Sequence, residues 1–210
     1  MRLSPFTGQS PTKSEPKAKT QDRSCSTFRY EANEEIYAQG EEVHRLYRLL
    51  EGVVRTNRFN SDGRRQVGDF YYPGDVFGLE MGDEHQYSAE ALTDCRVESI
   101  SSNPGGGDHN VALAEITRQE LRKASEHVML LGRKTAREKV ALFLMAYATR
   151  NRGVDVDLPM GRQDIADYLG LTVETVSRML TQLQGESVIA FPGIRRFQVK
   201  RWDVLEELAA

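Results

Sequence analysis

The spacing of apolar residues divides the chain into two parts, which meet at a cluster of Asn, Pro, Gly and Asp at residues 103–108. Before that cluster, short runs rich in Leu, aromatic and β-branched residues recur about every ten residues, separated by turns that contain Gly. The predicted strands are residues 43–50, 52–59, 66–72 and 95–100. Many short strands at this interval indicate an antiparallel sandwich, jelly roll or barrel.

After the cluster the apolar spacing becomes three and four, and residues 162–184 predict two short helices joined by a turn. The first helix covers residues 162–169 and ends before Gly170, which can adopt the left-handed conformation that a sharp turn needs. Thr172 caps the second helix with its hydroxyl. The predicted buried positions are Ile165, Ala166, Leu169, Val176, Met179, Leu180 and Leu183. This pattern indicates a helix-turn-helix, which places its second helix in the DNA major groove.

The outward positions of the second helix carry side chains suited to reading base pairs. Glu174 and Arg178 lie one turn apart on the same face, and Ser177 lies beside Arg178. An Arg can bridge the N7 and O6 atoms of guanine, while a Glu can accept from the amino group of cytosine. The alternative is an exposed Glu–Arg pair with no role in recognition. Within a helix-turn-helix, we predict that Glu174, Ser177 and Arg178 contact bases. Other or backbone contacts to DNA are predicted at Thr172, Val173, Thr175 and Thr181.

A β-hairpin is predicted after the helix-turn-helix, from residues 188–191 and 197–199 around Pro192-Gly193. Such a hairpin is the wing of a winged helix-turn-helix. Arg195 and Arg196 lie beside its turn, where they can reach phosphates. Contacts of this kind fix the register of the protein on DNA and make binding salt-dependent, without selecting a sequence.

A long helix is predicted over residues 108–132, between the strands and the helix-turn-helix. Six of its positions alternate at spacings of three and four and form one stripe, which we call the seam. The seam consists of Ala114, Thr117, Leu121, Ala124, Val128 and Leu131. Such a stripe is found in ordinary core helices and in coiled-coil dimers. One helix-turn-helix reads only a few base pairs, and two-fold pairing supplies two half-sites, so we predict a homodimer through the seam.

These patterns predict an α+β chain in four parts. Residues 1–27 form a disordered tail, residues 28–104 an antiparallel β-roll, residues 108–132 the dimerisation helix, and residues 133–210 the winged helix-turn-helix domain.

Charge separates along the chain as well. Residues 132–210 carry 12 Lys and Arg against 10 Asp and Glu, a balance of +2, whereas the preceding part has 16 against 21, a balance of −5. The positive excess lies with the predicted DNA-binding domain.

Composition excludes several classes of protein. Two cysteines, Cys25 and Cys95, are too few for a disulfide framework and indicate a reducing compartment. No apolar run is long enough to span a membrane, and no signal peptide is evident, so we expect a cytoplasmic protein without a membrane partner. The four histidines are scattered without metal-ligand spacing. No metal site, no cofactor and no catalytic residue are predicted, and an enzyme built on a metal-binding roll is disfavoured.

The residues of the second helix carry a specific resemblance. The pattern E-x-x-S-R, from Glu174 to Arg178, is similar to the recognition helix of the FNR branch of the CRP/FNR regulators. The surrounding sequence DIADYLGLTVETVSR resembles FixK-type members of that branch. Nearer the start, LLEGVVR, DGRRQV and PGDVFGLE resemble, in that order, the β-roll domain of the same family. The resemblance implies a β-roll, dimerisation through the long helix, and a winged helix-turn-helix.

The resemblance also implies a DNA site and further partners. The expected site is a palindrome of the type TTGAT, four base pairs, ATCAA. Val173 occupies the position at which the cyclic-AMP branch has an Arg, so we expect a weaker preference for that branch's TGTGA half-site. A loop of relatives that touches RNA polymerase corresponds to Arg64 and Arg65, which we predict on an exposed hairpin tip. FixK-type relatives mostly activate genes for low-oxygen respiration or nitrogen fixation.

Two family ligands are not expected. FNR holds an iron–sulfur centre with a cluster of cysteines, whereas two cysteines cannot supply the usual four thiolates. The cyclic-AMP-binding relatives hold the phosphate with an Arg-Ser pair, and this chain has Tyr87-Ser88 at that place, without the cation that a buried phosphate requires. A regulator gated by haem or another small molecule in the roll stays open as the alternative.

Overall fold

The computed structural model describes residues 26–101, 107–133, 135–151, 153 and 155–209. In this part of the chain the first strands are β1 Thr27–Tyr30, β2 Glu35–Tyr37, β3 Arg45–Glu51, β4 Val54–Phe59, β5 Arg65–Tyr71, β6 Val76–Phe77, β7 Ser88–Ala91 and β8 Cys95–Ser101. The elements that follow are α1 Gly107–Arg133, α2 Ala136–Arg150, β9 Asp155–Asp157, α3 Arg162–Leu169, α4 Val173–Gly185, β10 Ile189–Gly193, β11 Arg196–Val199 and α5 Trp202–Ala209. The predicted disordered tail falls almost wholly outside the described residues.

The strands of the first part form two antiparallel sheets around one core. Their orders are β1-β8-β3-β6 and β2-β7-β4-β5. Both sheets contribute fully buried residues to that core, for example Leu49 and Val97 from one and Val54 and Ala89 from the other. The predicted antiparallel β-roll and the α+β class are therefore confirmed. The four predicted strands lie within two residues of β3, β4, β5 and β8.

The C-terminal part is built on α2, whose beginning is encoded locally. Thr135 accepts from the backbone N–H of Glu138, and Glu138 accepts in return from the backbone N–H of Thr135, which is a capping box. Val140 and Leu144 of α2 are fully buried against α3, α4 and α5. A small sheet of order β10-β11-β9 completes the domain, so the predicted wing is present as β10 and β11.

The roll and the C-terminal part share apolar and charged contacts. Phe70 of β5 packs against Tyr168 of α3 with ring centroids 5.2 Å apart, and also against Phe143 of α2. Arg150 at the end of α2 donates to Asp75 of the roll over 2.7 Å. The recognition domain is therefore attached to the roll through α2 and α3.

Candidate nucleic-acid interface

The turn between α3 and α4 has the conformation that its residues predict. Gly170 follows α3 with φ +62°, in the left-handed region, and its N–H donates to the carbonyl of Ala166. Thr172 is the N-cap of α4, because its Oγ1 accepts from the backbone N–H of Thr175 over 3.2 Å. The α3 bounds and the cap at Thr172 are both as predicted.

One side of α4 is buried and the opposite side faces solvent. Val176, Leu180 and Leu183 are buried in the domain core, and Met179 is half-buried beside them. Glu174 and Arg178 are exposed on the other side, and Ser177 is half-buried between them. We call Glu174, Ser177 and Arg178 the reading face. The remaining predicted DNA contacts on α4 follow this division: Thr181 is exposed, while Val173 and Thr175 are half-buried.

The two charged groups of the reading face are free to meet other partners. The pKa of Glu174 is held below its usual range by hydrogen bonds from its own backbone N–H and from the Thr172 hydroxyl. Glu174 is therefore an ionised acceptor at neutral pH. Within the part of the chain that the structure describes, Arg178 has no ion pair, and the Glu174–Arg178 salt bridge of the alternative interpretation does not form.

The two arginines predicted in the wing differ in their surroundings. Arg195 is exposed at the turn between β10 and β11. Arg196 donates twice to the carboxylate of Asp155 on β9, over 2.6 and 3.1 Å, and Gln198 donates to the same carboxylate. Arg196 is still half exposed, but it holds β11 on β9. The role of Asp155 was not evident in the sequence, because the ion pair links residues 41 positions apart.

The seam is exposed in the single chain, and three of its residues, Ala124, Val128 and Leu131, also line a cavity between α1 and the roll. Leu121 and Val128 are exposed to 70% and 69% of their surface, and Leu131 is also exposed. The three small seam residues Ala114, Thr117 and Ala124 are exposed as well. The alternative interpretation, that the seam is the buried stripe of an ordinary core helix, is therefore wrong for the single chain, because the seam side chains are exposed. Exposed apolar stripes are common at protein–protein interfaces.

The two arginines of the β4–β5 hairpin do not share one environment. Arg64 has 83% of its side chain exposed and pairs with its neighbour Asp62. Arg65, which we predicted to lie exposed beside it, is only 19% exposed. Its guanidinium donates to Asp167 and Asp164 of α3, both over 2.7 Å. The prediction of exposure is wrong for Arg65, because α3 docks against this end of the hairpin.

A cavity of about 370 Å³ lies between the roll and α1. Asp69, Glu80 and Glu120 line it, together with Lys123, whose Nζ is 2.9 Å from a Glu120 oxygen and 3.9 Å from an Asp69 oxygen. Burial raises the pKa of Asp69 to about 6, and the Lys123 ammonium opposes that rise. Carboxylates therefore outnumber ammonium groups in the lining that the structure describes.

The remaining sites of interest carry little chemistry. Burial raises the pKa of the Cys95 thiol, which donates to the carbonyl of Thr93 over 3.1 Å, so this cysteine is a poor thiolate. Cys25 lies outside the described residues. Over the described ranges, no three His, Cys, Asp or Glu residues come together as metal ligands, and no helix has the length and apolarity to cross a membrane.

A roll joined by a long helix to a winged helix-turn-helix defines a class of DNA-binding regulator, and comparison with known proteins identifies the family. The model of bacterial regulatory proteins of the crp family matches residues 158–189, and that of the cyclic nucleotide-binding domain matches residues 27–103. The nitrogen fixation regulation protein FixK of Azorhizobium caulinodans is 41% identical over 188 residues, which cover 84% of this chain and 76% of that protein.

Two further relatives agree. The transcriptional activatory protein AadR of Rhodopseudomonas palustris is 36% identical, over 88% of this chain and 82% of that protein. The solved structure of FixK2 from Bradyrhizobium japonicum superposes with a TM-score of 0.82 and 41% identity, over 89% of this chain and 98% of that one. The chain belongs to the CRP/FNR family of bacterial transcription regulators, in its FixK-type branch. It is therefore a DNA-binding transcription regulator.

The cavity in the roll does not fit a cyclic nucleotide, the ligand that this type of domain implies. Tyr87 lines the cavity at the place of the expected Arg. The ammonium of Lys123 is already engaged by Glu120, and Asp69 and Glu80 would face the phosphate as like charges. A buried phosphate without charge compensation is unfavourable by several kcal/mol, so this lining disfavours a cyclic nucleotide.

Proposed function

We propose that this regulator binds, as a homodimer, a palindrome of the type TTGAT, four base pairs, ATCAA. The observation that carries the proposal is the reading face, whose two charged side chains are exposed and form no ion pair among the described residues. Arg178 suits the N7 and O6 acceptors of a guanine, and ionised Glu174 suits a cytosine amino group. Each such contact discriminates by about 1–3 kcal/mol. Ser177 lies between them, where it can meet a thymine methyl or an adenine edge.

The homodimer is supported by the seam. Its apolar side chains are exposed along α1 in the single chain, and pairing two seams in parallel would bury both. A two-fold dimer presents two recognition helices to half-sites about one turn of DNA apart, which matches a palindrome. Small residues at Ala114 and Ala124 allow the two helices to approach closely.

Contacts to the DNA backbone are proposed at the edges of the reading face. Arg195 is exposed at the tip of the wing and suits a phosphate. Arg196 suits the same role from a position fixed by Asp155. Thr172, Thr175 and Thr181 lie along the exposed and half-buried sides of α4 and suit phosphate oxygens, while Val173 can offer only apolar contact.

We infer that the regulator activates genes for low-oxygen respiration or nitrogen fixation, without a cyclic nucleotide or an iron–sulfur centre. The relatives support the target class, since FixK of Azorhizobium caulinodans is named for nitrogen fixation and AadR for activation. Activation requires contact with RNA polymerase. Arg64 has the exposure that such a contact needs, whereas Arg65 is engaged by α3.

A second candidate function is a regulator gated by a small molecule. The cavity between the roll and α1 favours it, because that cavity reaches Tyr168 of α3 and so adjoins the DNA-binding domain. Its carboxylates suit a neutral or cationic ligand. Native mass spectrometry and absorbance of the purified protein would reveal a retained ligand or haem.

The test is fluorescence anisotropy of purified, ligand-free protein with two labelled duplexes. One duplex carries TTGAT half-sites and the other carries TGTGA half-sites. We expect tight binding to the first duplex. Arg178→Ala should weaken the binding free energy for that duplex by about 1–3 kcal/mol per half-site. The matched control is Arg201→Ala, which removes an exposed Arg of the same domain that belongs neither to α4 nor to the wing strands. Equal or absent binding to both duplexes would refute unaided recognition.

A further inference from the structure

Four charged residues join the roll to the first helix of the helix-turn-helix. Arg55 on β4 donates through Nη1 to an oxygen of Asp164 over 2.5 Å. Arg65 on β5 donates through Nη2 to the same oxygen of Asp164 and through Nε to Asp167, both over 2.7 Å. Asp164 and Asp167 lie on α3, about 100 residues further along the chain. We call these four residues the interdomain latch.

The latch is shielded from solvent. The four side chains are exposed to only 10–19% of their surface. Arg55 is also held from the roll side, since Glu90 of β7 accepts from its Nε and Nη2 over 3.1 and 2.5 Å. Charges removed from water must be paired and hydrogen-bonded, and removing one partner leaves the other uncompensated. These pairs therefore resist separation more than exposed pairs do, and they define one arrangement of the two guanidinium groups.

The far end of α3 is held as well, by α1. His127 of α1 lies with its Nε2 2.8 Å from the backbone oxygen of Tyr168, and the two rings stack with centroids 4.2 Å apart. Phe70 of the roll also packs against the Tyr168 ring, with centroids 5.2 Å apart. The short helix α3 is thus held by the latch at Asp164 and Asp167, and at Tyr168 by the helix that carries the seam.

The reading face takes no part in these contacts. Glu174 and Arg178 stay exposed on α4 while α3 is docked. The core of the domain, including Ala166 and Val176, joins α4 rigidly to α3. Because α1 carries the seam, the docking of α3 sets the position of each recognition helix relative to the dimer axis.

We propose that Arg55 and Arg65 are positioning residues for DNA recognition, which hold α3 through Asp164 and Asp167 and so fix the separation of the two recognition helices without a ligand. The proposal rests on the homodimer and the palindrome proposed above. Its consequence is selectivity for half-site spacing. A protein with an intact latch discriminates between palindromes whose half-sites differ in separation, and a protein with a broken latch tolerates both.

The variants follow from the geometry. Asp164 is left unchanged, because its second oxygen accepts from the N–H of Gly161 and caps α3. Arg65→Glu places a carboxylate against Asp164 and Asp167, and Asp167→Arg in the same chain restores an opposite-charge pair. Arg64→Glu is the matched control: it makes the same charge change one residue earlier, at a side chain that contacts Asp62 and not α3.

The first measurement needs no DNA. Hydrogen exchange followed by mass spectrometry compares backbone protection of residues 162–170 in the wild type, Arg65→Glu, Arg64→Glu, and the double variant Arg65→Glu with Asp167→Arg. We expect faster exchange in Arg65→Glu, restored protection in the double variant, and no change in Arg64→Glu. Arg65→Gln, which removes the charge without adding a like charge, takes the place of Arg65→Glu should that variant not fold.

The second measurement is anisotropy with TTGAT palindromes whose half-sites are separated by four or by six base pairs. We expect Arg65→Glu to bind the four-base-pair site about tenfold more weakly, within the range of about 5–150-fold typical of coupling between sites. We also expect its ratio of affinities for the two spacings to fall toward one, with recovery in the double variant.

An unchanged ratio together with unchanged exchange would overturn the latch. Wild-type protein that binds neither palindrome would refute the proposed function instead. The exchange data alone would then test whether the latch holds α3. Faster exchange in Arg65→Glu that the double variant reverses would support this role, and unaltered exchange would refute it.

Discussion

The carboxyl group of Asp69 gives a prediction whose size follows from its surroundings. Its side chain is only 24% exposed, and the nearest ammonium, on Lys123, is 3.9 Å away and shared with Glu120. Burial raises the pKa of Asp69 to about 6, against 3.8 for an ordinary Asp. The folded protein therefore binds this proton more tightly than the unfolded chain does. Ionised Asp69 destabilises the fold fully above pH 6, and the destabilisation disappears as the pH falls toward 3.8.

The perturbation is Asp69→Asn, which keeps the acceptor for the N–H of Phe70 and removes the charge. One pKa unit corresponds to about 1.4 kcal/mol, so the pKa difference predicts a gain in the free energy of unfolding of about 3 kcal/mol at pH 8. By the same linkage the gain at pH 5 is about half as large. The assay is urea unfolding of both proteins at the two pH values, at one fixed protein concentration because a dimer's stability depends on it.

The control for Asp69→Asn is Asp83→Asn, which removes a carboxylate from an exposed loop of the roll. We expect its effect to lie within about 0.5 kcal/mol at both pH values. A gain for Asp69→Asn that is equal at pH 8 and pH 5, or a loss at pH 8, would contradict the assignment of Asp69 as a buried carboxyl group that destabilises the fold when ionised.

Three further predictions concern the seam, the turn and the wing. Leu121→Glu places two carboxylates across the paired seams, and sedimentation velocity should then show monomers that no longer bind the palindrome; a persistent dimer would exclude this surface as the interface. Gly170→Ala adds a Cβ in the left-handed region and should lower the free energy of unfolding by about 1 kcal/mol, measured by urea unfolding. Arg195→Ala should weaken binding to all sequences alike and lower the salt slope by about 1 per subunit in anisotropy titrations, whereas a loss of sequence preference would show that it reads bases.

The helix-turn-helix could be predicted closely because its signals are local. Gly170 and Thr172 mark the end of one helix and the start of the next, and each acts through hydrogen bonds to residues within four positions. The burial of Val176, Leu180 and Leu183 follows from their spacing on one helix. The stripe of six seam positions was equally predictable, since it depends only on helical periodicity, whereas the exposure of that stripe became evident only in the structure.

Four strands of the roll, β1, β2, β6 and β7, escaped prediction, and each has no more than four residues. β2 and β6 contain only three and two residues, too few to show an alternating pattern, and they exist because β7 and β3 pair with them. The burial of Arg65 escaped prediction for a related reason. A charged residue beside a Gly turn has the pattern of a solvated hairpin tip, and only the docking of α3 shows that Asp164 and Asp167 enclose it.

The described ion pairs and ring contacts between the roll and the recognition domain involve α2 and α3, and none involves the reading face. The residues that we propose to choose a DNA sequence and the residues that hold the domain in place are thus separate sets. On that proposal, substitutions at Glu174 or Arg178 would redirect the regulator to new promoters without disturbing its assembly. A lineage of such regulators would then diversify its targets by changing one side of one helix while it inherits the same proposed dimer geometry.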